Sequence, residues 1–460
     1  MNMKITPCLT ASIIALYLGL AASLGASGQY FKVDYPASTV AGELQLGVTY
    51  TIWIPDGVNT LRGVIVHQHG AGTIAAKSGM SAAYDLHWQA LAKKWDCALL
   101  GPSYHVLTEK TDDSPGGSQL WFDPRRGSDK TFLKALSDFA TTSGHAELER
   151  VPWTLWGHSG GAIWSHIMTV LHPDRVAAVW LRSGSAFMWK GKAGFAPLET
   201  SPAVYSIPIM CNSGIQEKGN GPWNGPLAMV QDYRAKGAPI GFAPDPLTGH
   251  WCGNSRYLAI PYLDACMALR LPEKGSHDQT LRPVNQNAAW LAPLLGDTVQ
   301  PAAGFKGNAA ETVWLPNETI AKDWVEYVRT GGVSDSTPPP APSEVTVVSK
   351  DLETDITWNA EADFESGIHH FIVLRDGQEL GNLPEKNLIR FQVRPAFQMT
   401  GAANGWTASY NDAPADPVPP MRFVDTWPKD KKNHTYAIIA VNTVGLKSAP
   451  SAPATTTDQP

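Results

Sequence analysis

A serine enclosed by glycines, Gly157-His158-Ser159-Gly160-Gly161, gives the chain its one Gly-x-Ser-x-Gly match. A hydroxyl is a poor nucleophile in water. It gains reactivity where a base can take its proton and where donors can meet the oxyanion that forms. The flanks show how such a serine would be held. Residues 151–156 are short, apolar and aromatic, which reads as a buried strand. Residues 162–171 read as a helix, with Trp164, Met168 and Leu171 on one face and Pro173 marking its end. A strand that turns sharply into a helix needs small residues at the turn. It also sets a helix N-terminus, with free N–H groups and a positive dipole end, beneath the serine. The N–H of Gly160 is then one oxyanion donor.

Strand, turn and helix in this order resemble the nucleophile elbow of the α/β-hydrolases, whose remaining groups follow in the order acid, then histidine. The base takes the hydroxyl proton, and the acid fixes its tautomer and stabilises imidazolium. An apolar run at 207–212 leads into Ser213-Gly214-Ile215-Gln216-Glu217, and one near 240–242 leads through Asp245 to Thr248-Gly249-His250-Trp251. These assign Ser159 as nucleophile, His250 as general base and then acid, and Glu217 as orienting carboxylate. Asp245 and Asp232 are alternatives for the acid. His67, His69, His105 and His145 precede the serine and fall on the wrong side for this order.

A second oxyanion donor should come from the loop after the strand at 62–69, which runs into His69-Gly70-Ala71-Gly72. Small residues there let the backbone approach a substrate, and the N–H of Ala71 or Gly70 is the expected donor. His67 and His69 have no acidic or thiol companion in sequence, so they do not read as a metal site. Seventeen tryptophans are many for this length. Trp156 and Trp164 sit on the elbow strand and helix and read as core. Trp121, Trp223 and Trp251 lie beside Gly, Pro or His in loops; with His158 they are the candidate substrate-binding residues, flat indoles being suited to sugar rings and aryl acids.

The elements that must position these groups alternate. Expected strands fall at 62–69, 97–103, 153–156, 177–182, 207–212 and 239–242, after a hairpin at 42–54. Helices fall between, at 86–94 and 130–141 among others. Such alternation implies a mostly parallel sheet flanked by helices. A helix at 317–329, capped by Asn317 and stopped by Gly331-Gly332, closes the unit. Thr337-Pro338-Pro339-Pro340-Ala341-Pro342 is a stiff linker. Beyond it helical periodicity disappears, and strands are expected at 343–349, 355–358, 370–375 and 435–442. The expected division is a signal peptide at 1–28, a catalytic domain at 29–333, a linker at 334–342 and an all-β sandwich at 343–460. Trp358 as a core tryptophan, 436–442 as a penultimate strand and a turn at Gly445 resemble a fibronectin type III module. The stretch 384–425 is longer than such a module needs.

Composition narrows the function. The chain has 460 residues, 43% hydrophobic and 17% charged, with a formal net charge of -6. These values describe a globular protein of two domains and give no basic footprint for nucleic acid. Lys4, an apolar run at 9–24 and Ala26-Ser27-Gly28 read as a secretory leader, so a secreted or periplasmic protein with no membrane span in its mature form is expected. Cys97 and Cys211 lie in apolar strands as free thiols, whereas Cys252 and Cys266 are expected to bridge in an oxidising compartment.

Residues 40–330 resemble a secreted α/β-hydrolase of the feruloyl esterase and polyhydroxybutyrate depolymerase type. The resemblance rests on the His69-Gly70 turn, the elbow, Gly214 to Glu217 and Gly249-His250. It implies hydrolysis of carboxylic esters through an acyl-enzyme, without metal or organic cofactor. The chain departs from many relatives in carrying glutamate as the acid and in having no obvious large lid. The expected partner is a bulky or polymer-linked ester substrate, with acyl or phenolic esters of polysaccharides first. An extracellular polyester depolymerase, a serine peptidase and a non-catalytic binding protein on the same fold are the other readings.

Overall fold

A computed structural model of the chain describes residues 28–71, 82–105, 121–192, 194–275, 280–350, 353–384, 421–426, 433–455 and 457–458. Residues 1–27 of the expected leader, and 385–420 of the long stretch in the second unit, lie outside the described residues.

Eight strands form the main sheet: β1 (Gly28–Tyr35), β2 (Val48–Pro55), β3 (Gly63–Gln68), β4 (Cys97–Tyr104), β5 (Trp153–His158), β6 (Val176–Arg182), β7 (Ile209–Gly214) and β8 (Ile240–Asp245). Their order is β1-β2-β4-β3-β5-β6-β7-β8. The pairs β1–β2 and β2–β4 are antiparallel, and all the others are parallel. Every residue of β2 through β7 is buried, because both faces are covered. That double burial is why these segments read as unbroken apolar runs. This is an α/β-hydrolase fold.

The expected hairpin at 42–54 is corrected. β2 pairs with β1, and residues 36–47 form no strand. The polar alternation of β1, buried only in part, hid it beside the apolar runs.

Helices α1 (Leu86–Lys94), α2 (Ser128–Ser143), α3 (Gly160–Leu171), α4 (Gly221–Ala235), α5 (Arg256–Arg270) and α6 (Glu318–Thr330) cover the sheet. Asn317 caps α6 by accepting from the Ile320 N–H at 2.9 Å, and Gly331 ends it in the left-handed region at φ 75. In α3, residues 160–170 are all buried. Leu171 is 38% exposed, so it does not share the buried face with Trp164 and Met168. A small sheet of β9 (Trp290–Pro293), β10 (Gln300–Pro301) and β11 (Thr312–Leu315) lies between α5 and α6 in sequence.

After the Pro-rich segment come β12 (Ser343–Lys350), β13 (Glu353–Asn359), β14 (Ile368–Arg375), β15 (Gln378–Leu383), β16 (Arg422–Asp425), β17 (Thr435–Asn442), β18 (Ala454–Thr455) and β19 (Thr457–Asp458). They make two four-stranded sheets, β16-β13-β12-β19 and β15-β14-β17-β18. This C-terminal β-sandwich has Trp358 and Phe371 edge to face in its core, with ring centroids 5.4 Å apart. It docks on α1. His87 Nε2 donates to the Phe364 oxygen at 2.7 Å, the Lys94 ammonium lies 4.3 Å from the centre of the Phe364 ring, and Lys93 pairs with Glu361. A cavity of about 610 Å³, lined by Trp53, Leu86, Ala90, Pro338, Pro340 and Phe364 among others, lies along this junction.

Cys97, Cys211, Cys252 and Cys266 are all buried free thiols. The expected bridge between Cys252 and Cys266 is therefore corrected. Cys266 lies inside α5 against Tyr262, and burial pushes its thiol well up.

Candidate active site

The strand order turns at β3, which has β4 on one side and β5 on the other. A crevice opens where parallel strands part to opposite sides, at their carboxyl ends. In register, Gln68 of β3 sits opposite Gly157 of β5. The turn His69-Gly70-Ala71 and the elbow Ser159-Gly160-Gly161 therefore leave the sheet side by side. Their closeness explains Gly161: a Cβ there would lie 2.2 Å from the main-chain oxygen of Gln68. A Cβ on Gly160 would lie 3.1 Å from the nitrogen of Ala71, so the expected oxyanion donors are neighbours in space.

Ser159 has φ 53 and ψ -115, a conformation costly for a residue with a side chain, roughly 1–3 kcal/mol. The surroundings hold it there. Its N–H donates to the Arg182 oxygen at 2.8 Å, and its own oxygen accepts from the N–H groups of Ala162 and Ile163 at 3.0 and 3.1 Å. The side chain stands at the N-terminus of α3.

Ser159 Oγ lies 2.9 Å from His250 Nε2, and His250 Nδ1 lies 2.5 Å from Glu217 Oε1. The three side chains expected from chain order thus form one hydrogen-bonded series. β7 delivers Glu217 on a short turn, and the loop after β8 delivers His250. Glu217 is buried, and His250 and Ser159 are partly open. Burial raises the Glu217 carboxyl. The hydrogen bond and charge of His250, the Ser183 hydroxyl and the Arg182 charge outweigh that and leave it below the ordinary value. A carboxylate that stays ionised under burial can stabilise an imidazolium, and the imidazole can relay a proton from the hydroxyl.

Asp245 and Asp232 are placed elsewhere. Asp245 accepts from Tyr327 Oη at 2.9 Å and from the Leu247 N–H at 2.9 Å. Asp232, on α4, pairs with Lys236 just past its end. Of the rival histidines, His67 stacks on Trp156 at 4.0 Å, His69 is buried, His105 bonds Thr49 and His145 bonds Glu147.

Three candidate substrate contacts are corrected. His158 is fully buried, and its Nε2 donates to the main-chain oxygen of His250 at 2.7 Å. It points under the site, because successive residues of a strand face opposite ways. Trp121 is 1% exposed and stacks on Tyr104, and Trp223 is 2% exposed and packs edge-on against Phe242. Neither indole offers a face to a ligand. Trp251 is half-buried beside His250.

Sequence reading missed Arg182 and Ser183, at the end of β6. Arg182 is fully buried. Its guanidinium donates to Thr248 Oγ1 at 2.7 Å, to the Gly249 oxygen at 3.0 Å, to the Trp251 oxygen at 2.5 Å and to Asn212 Oδ1 at 2.8 Å. It fixes the loop on both sides of His250. An arginine ending an otherwise apolar strand was the available signal, since a buried charge demands partners.

No protein-family model matches the sequence, and no curated protein matches it. Solved structures match in part. A ferulic acid esterase is 15% identical, with 49% of this chain and 92% of that chain covered and a TM-score of 0.33. The S-formylglutathione hydrolase FrmB from Staphylococcus aureus is 13% identical, covering 49% and 91%, with a TM-score of 0.31. Brefeldin A esterase, a bacterial homologue of human hormone-sensitive lipase, is 10% identical, covering 52% and 73%, with a TM-score of 0.31. The fold is defined by the strand order, independently of these likenesses.

Proposed function

We propose that the chain is a secreted serine carboxylesterase. The observation that carries the esterase reading is the series Ser159–His250–Glu217, linked at 2.9 and 2.5 Å on a strained strand-to-helix turn, and secretion rests on the leader-like sequence at 1–28. His250 takes the Ser159 proton as Oγ attacks the ester carbonyl. The N–H groups of Gly160 and Ala71 receive the oxyanion. His250 then protonates the departing alcohol and leaves an acyl-enzyme. In the second half it deprotonates water, which releases the acid and restores Ser159. Glu217 keeps the Nδ1 proton in place throughout and stabilises the imidazolium.

The substrate class is a bulky or polymer-linked ester, with acyl or phenolic esters of polysaccharides first. Support comes from half-buried indoles on the carboxyl-edge loops, Trp251 beside His250 and Trp189 after β6, where Trp189 lies 5.3 Å from Phe122. The deciding experiment treats the full chain with a fluorophosphonate probe and a panel of esters differing in acyl length and aromatic character. Ser159 takes the label, and Ser159→Ala takes none and turns over no ester. Label on another residue, or ester turnover by Ser159→Ala at the wild-type rate, overturns the reading.

A further inference from the structure

Glu217 has two carboxylate oxygens, and only Oε1 faces His250. Oε2 accepts from Ser183 Oγ at 2.6 Å and, at 3.3 Å, from the Gly214 N–H. Ser183 is fully buried and sits at φ 50, in the left-handed region that a non-glycine residue occupies at a cost. Its N–H donates to the Asn212 oxygen at 2.7 Å, which fixes the backbone that aims the hydroxyl. The next residue, Gly184, lies against the nucleophile: a Cβ there would be 2.4 Å from the Ser159 oxygen. The preceding carbonyl, of Arg182, accepts from the Ser159 N–H. Three consecutive residues at the end of β6 therefore touch the nucleophile's backbone, the acid's far oxygen and, through the Arg182 side chain, the histidine loop.

We propose that Ser183 is a positioning residue of the esterase: its buried hydroxyl holds the Glu217 carboxylate in the rotamer that presents Oε1 to His250. The inference rests on the function proposed above. With the hydroxyl present, a carboxylate with one oxygen on His250 and the other on Ser183 cannot rotate without breaking a bond. Without it, Oε2 keeps only the longer bond to Gly214, and the carboxylate swings and stabilises the imidazolium less well in the transition state. Ser183 acts through Glu217 and not on the substrate, so its effect belongs to kcat. It should vanish once the carboxylate is gone.

The test uses the full chain with Ser183→Ala, Ser183→Gly, Glu217→Gln and the Ser183→Ala/Glu217→Gln double variant. Glycine removes the same hydroxyl while relieving the positive φ, so it separates lost bonding from lost folding. Readouts are the fluorophosphonate labelling rate of Ser159, kcat and KM on a p-nitrophenyl ester, and Tm. Both Ser183 variants should lose roughly 10- to 100-fold in labelling rate and kcat, with KM little changed. In the Glu217→Gln background the further loss should be less than about threefold, because the two residues act as a unit. Labelling of either Ser183 variant at the wild-type rate, or an equal loss with and without Glu217, overturns the inference while the esterase reading stands. A wild-type chain that takes no label overturns that reading, and this inference with it.

Discussion

His158 Nε2 donates to the main-chain oxygen of His250 at 2.7 Å, and the two rings lie 5.0 Å apart. The residue before the nucleophile thus holds the backbone of the imidazole that bonds the nucleophile. His158→Phe keeps the bulk and loses the donor, leaving a carbonyl unsatisfied beneath the site. The expected outcome is a kcat lower by roughly tenfold with KM little changed, since the ring does not face a substrate. Steady-state kinetics on a soluble ester checks it. A raised KM with unchanged kcat would restore His158 as a substrate contact.

Glu217 and Asp245 separate by what they hold. Glu217→Gln removes the charge facing His250 Nδ1 and should lower kcat by about 100-fold or more; it also lowers Tm, because the fold favours the ionised carboxylate. Asp245→Asn weakens the bond from Tyr327 and the charge 3.9 Å from the Arg182 guanidinium, so it should lower Tm first. Kinetics and melting of both variants decide. A greater kcat loss in Asp245→Asn than in Glu217→Gln would move the acid to Asp245.

The sheet was legible in the sequence because its strands are buried on both faces and read as unbroken apolar runs between glycine and polar turns. The order serine, acid, histidine was legible for a related reason, since each group leaves the carboxyl end of a strand in that sheet. β1 was not legible, because all but one of its residues are exposed or only half-buried and it starts where the leader was expected to end. The roles of His158, Trp121 and Trp223 were not legible either. Which way a ring points depends on what packs over it from distant elements, as Tyr104 does over Trp121. Arg182 and Ser183 escaped notice because their side-chain partners lie 30 or more positions away, as with the bond from Ser183 to Glu217.

His166 makes stability depend on pH. It is fully buried on α3, and burial alone depresses its pKa from 6.5 to about 3. The Ala186 N–H donates to Nδ1 at 3.1 Å, so the ring proton sits on Nε2, 2.8 Å from Tyr233 Oη. The unfolded chain takes up this proton below 6.5 and the folded chain does not. The stabilisation is therefore complete above 6.5 and is lost as pH falls from there toward 3. At pH 5 the loss from this group is about 2 kcal/mol. His166→Gln can bond both partners and cannot charge. Its unfolding free energy should fall less between pH 7.5 and pH 5 than that of the wild type. Equal losses in the two chains would mean that the fold accepts the charge.

A chain ending at Ser336 should turn over small esters as the full chain does. Every partner described for Ser159, His250 and Glu217 lies before α6, and none comes from the β-sandwich. α1, on which the sandwich docks, has its own anchor: Asp85 caps it and pairs with the buried Arg256 guanidinium at 2.7 Å. Truncation removes the Phe364 and Glu361 contacts to His87, Lys94 and Lys93, and it strips Asp335 of the bonds from Ser366 and Asn442. It also uncovers Leu86 and Ala90 along the cavity at the junction. Tm should therefore drop by a few degrees while kcat/KM on a p-nitrophenyl ester stays within about threefold of the full chain. On an insoluble or polymeric ester the loss should be larger, because a second domain raises local concentration only there. Measuring both substrates and Tm on the 29–336 fragment decides the matter. Unchanged Tm with lost turnover of the small ester would mean that the sandwich shapes the active site, and equal losses on the two substrates would mean that it does not bind the polymer.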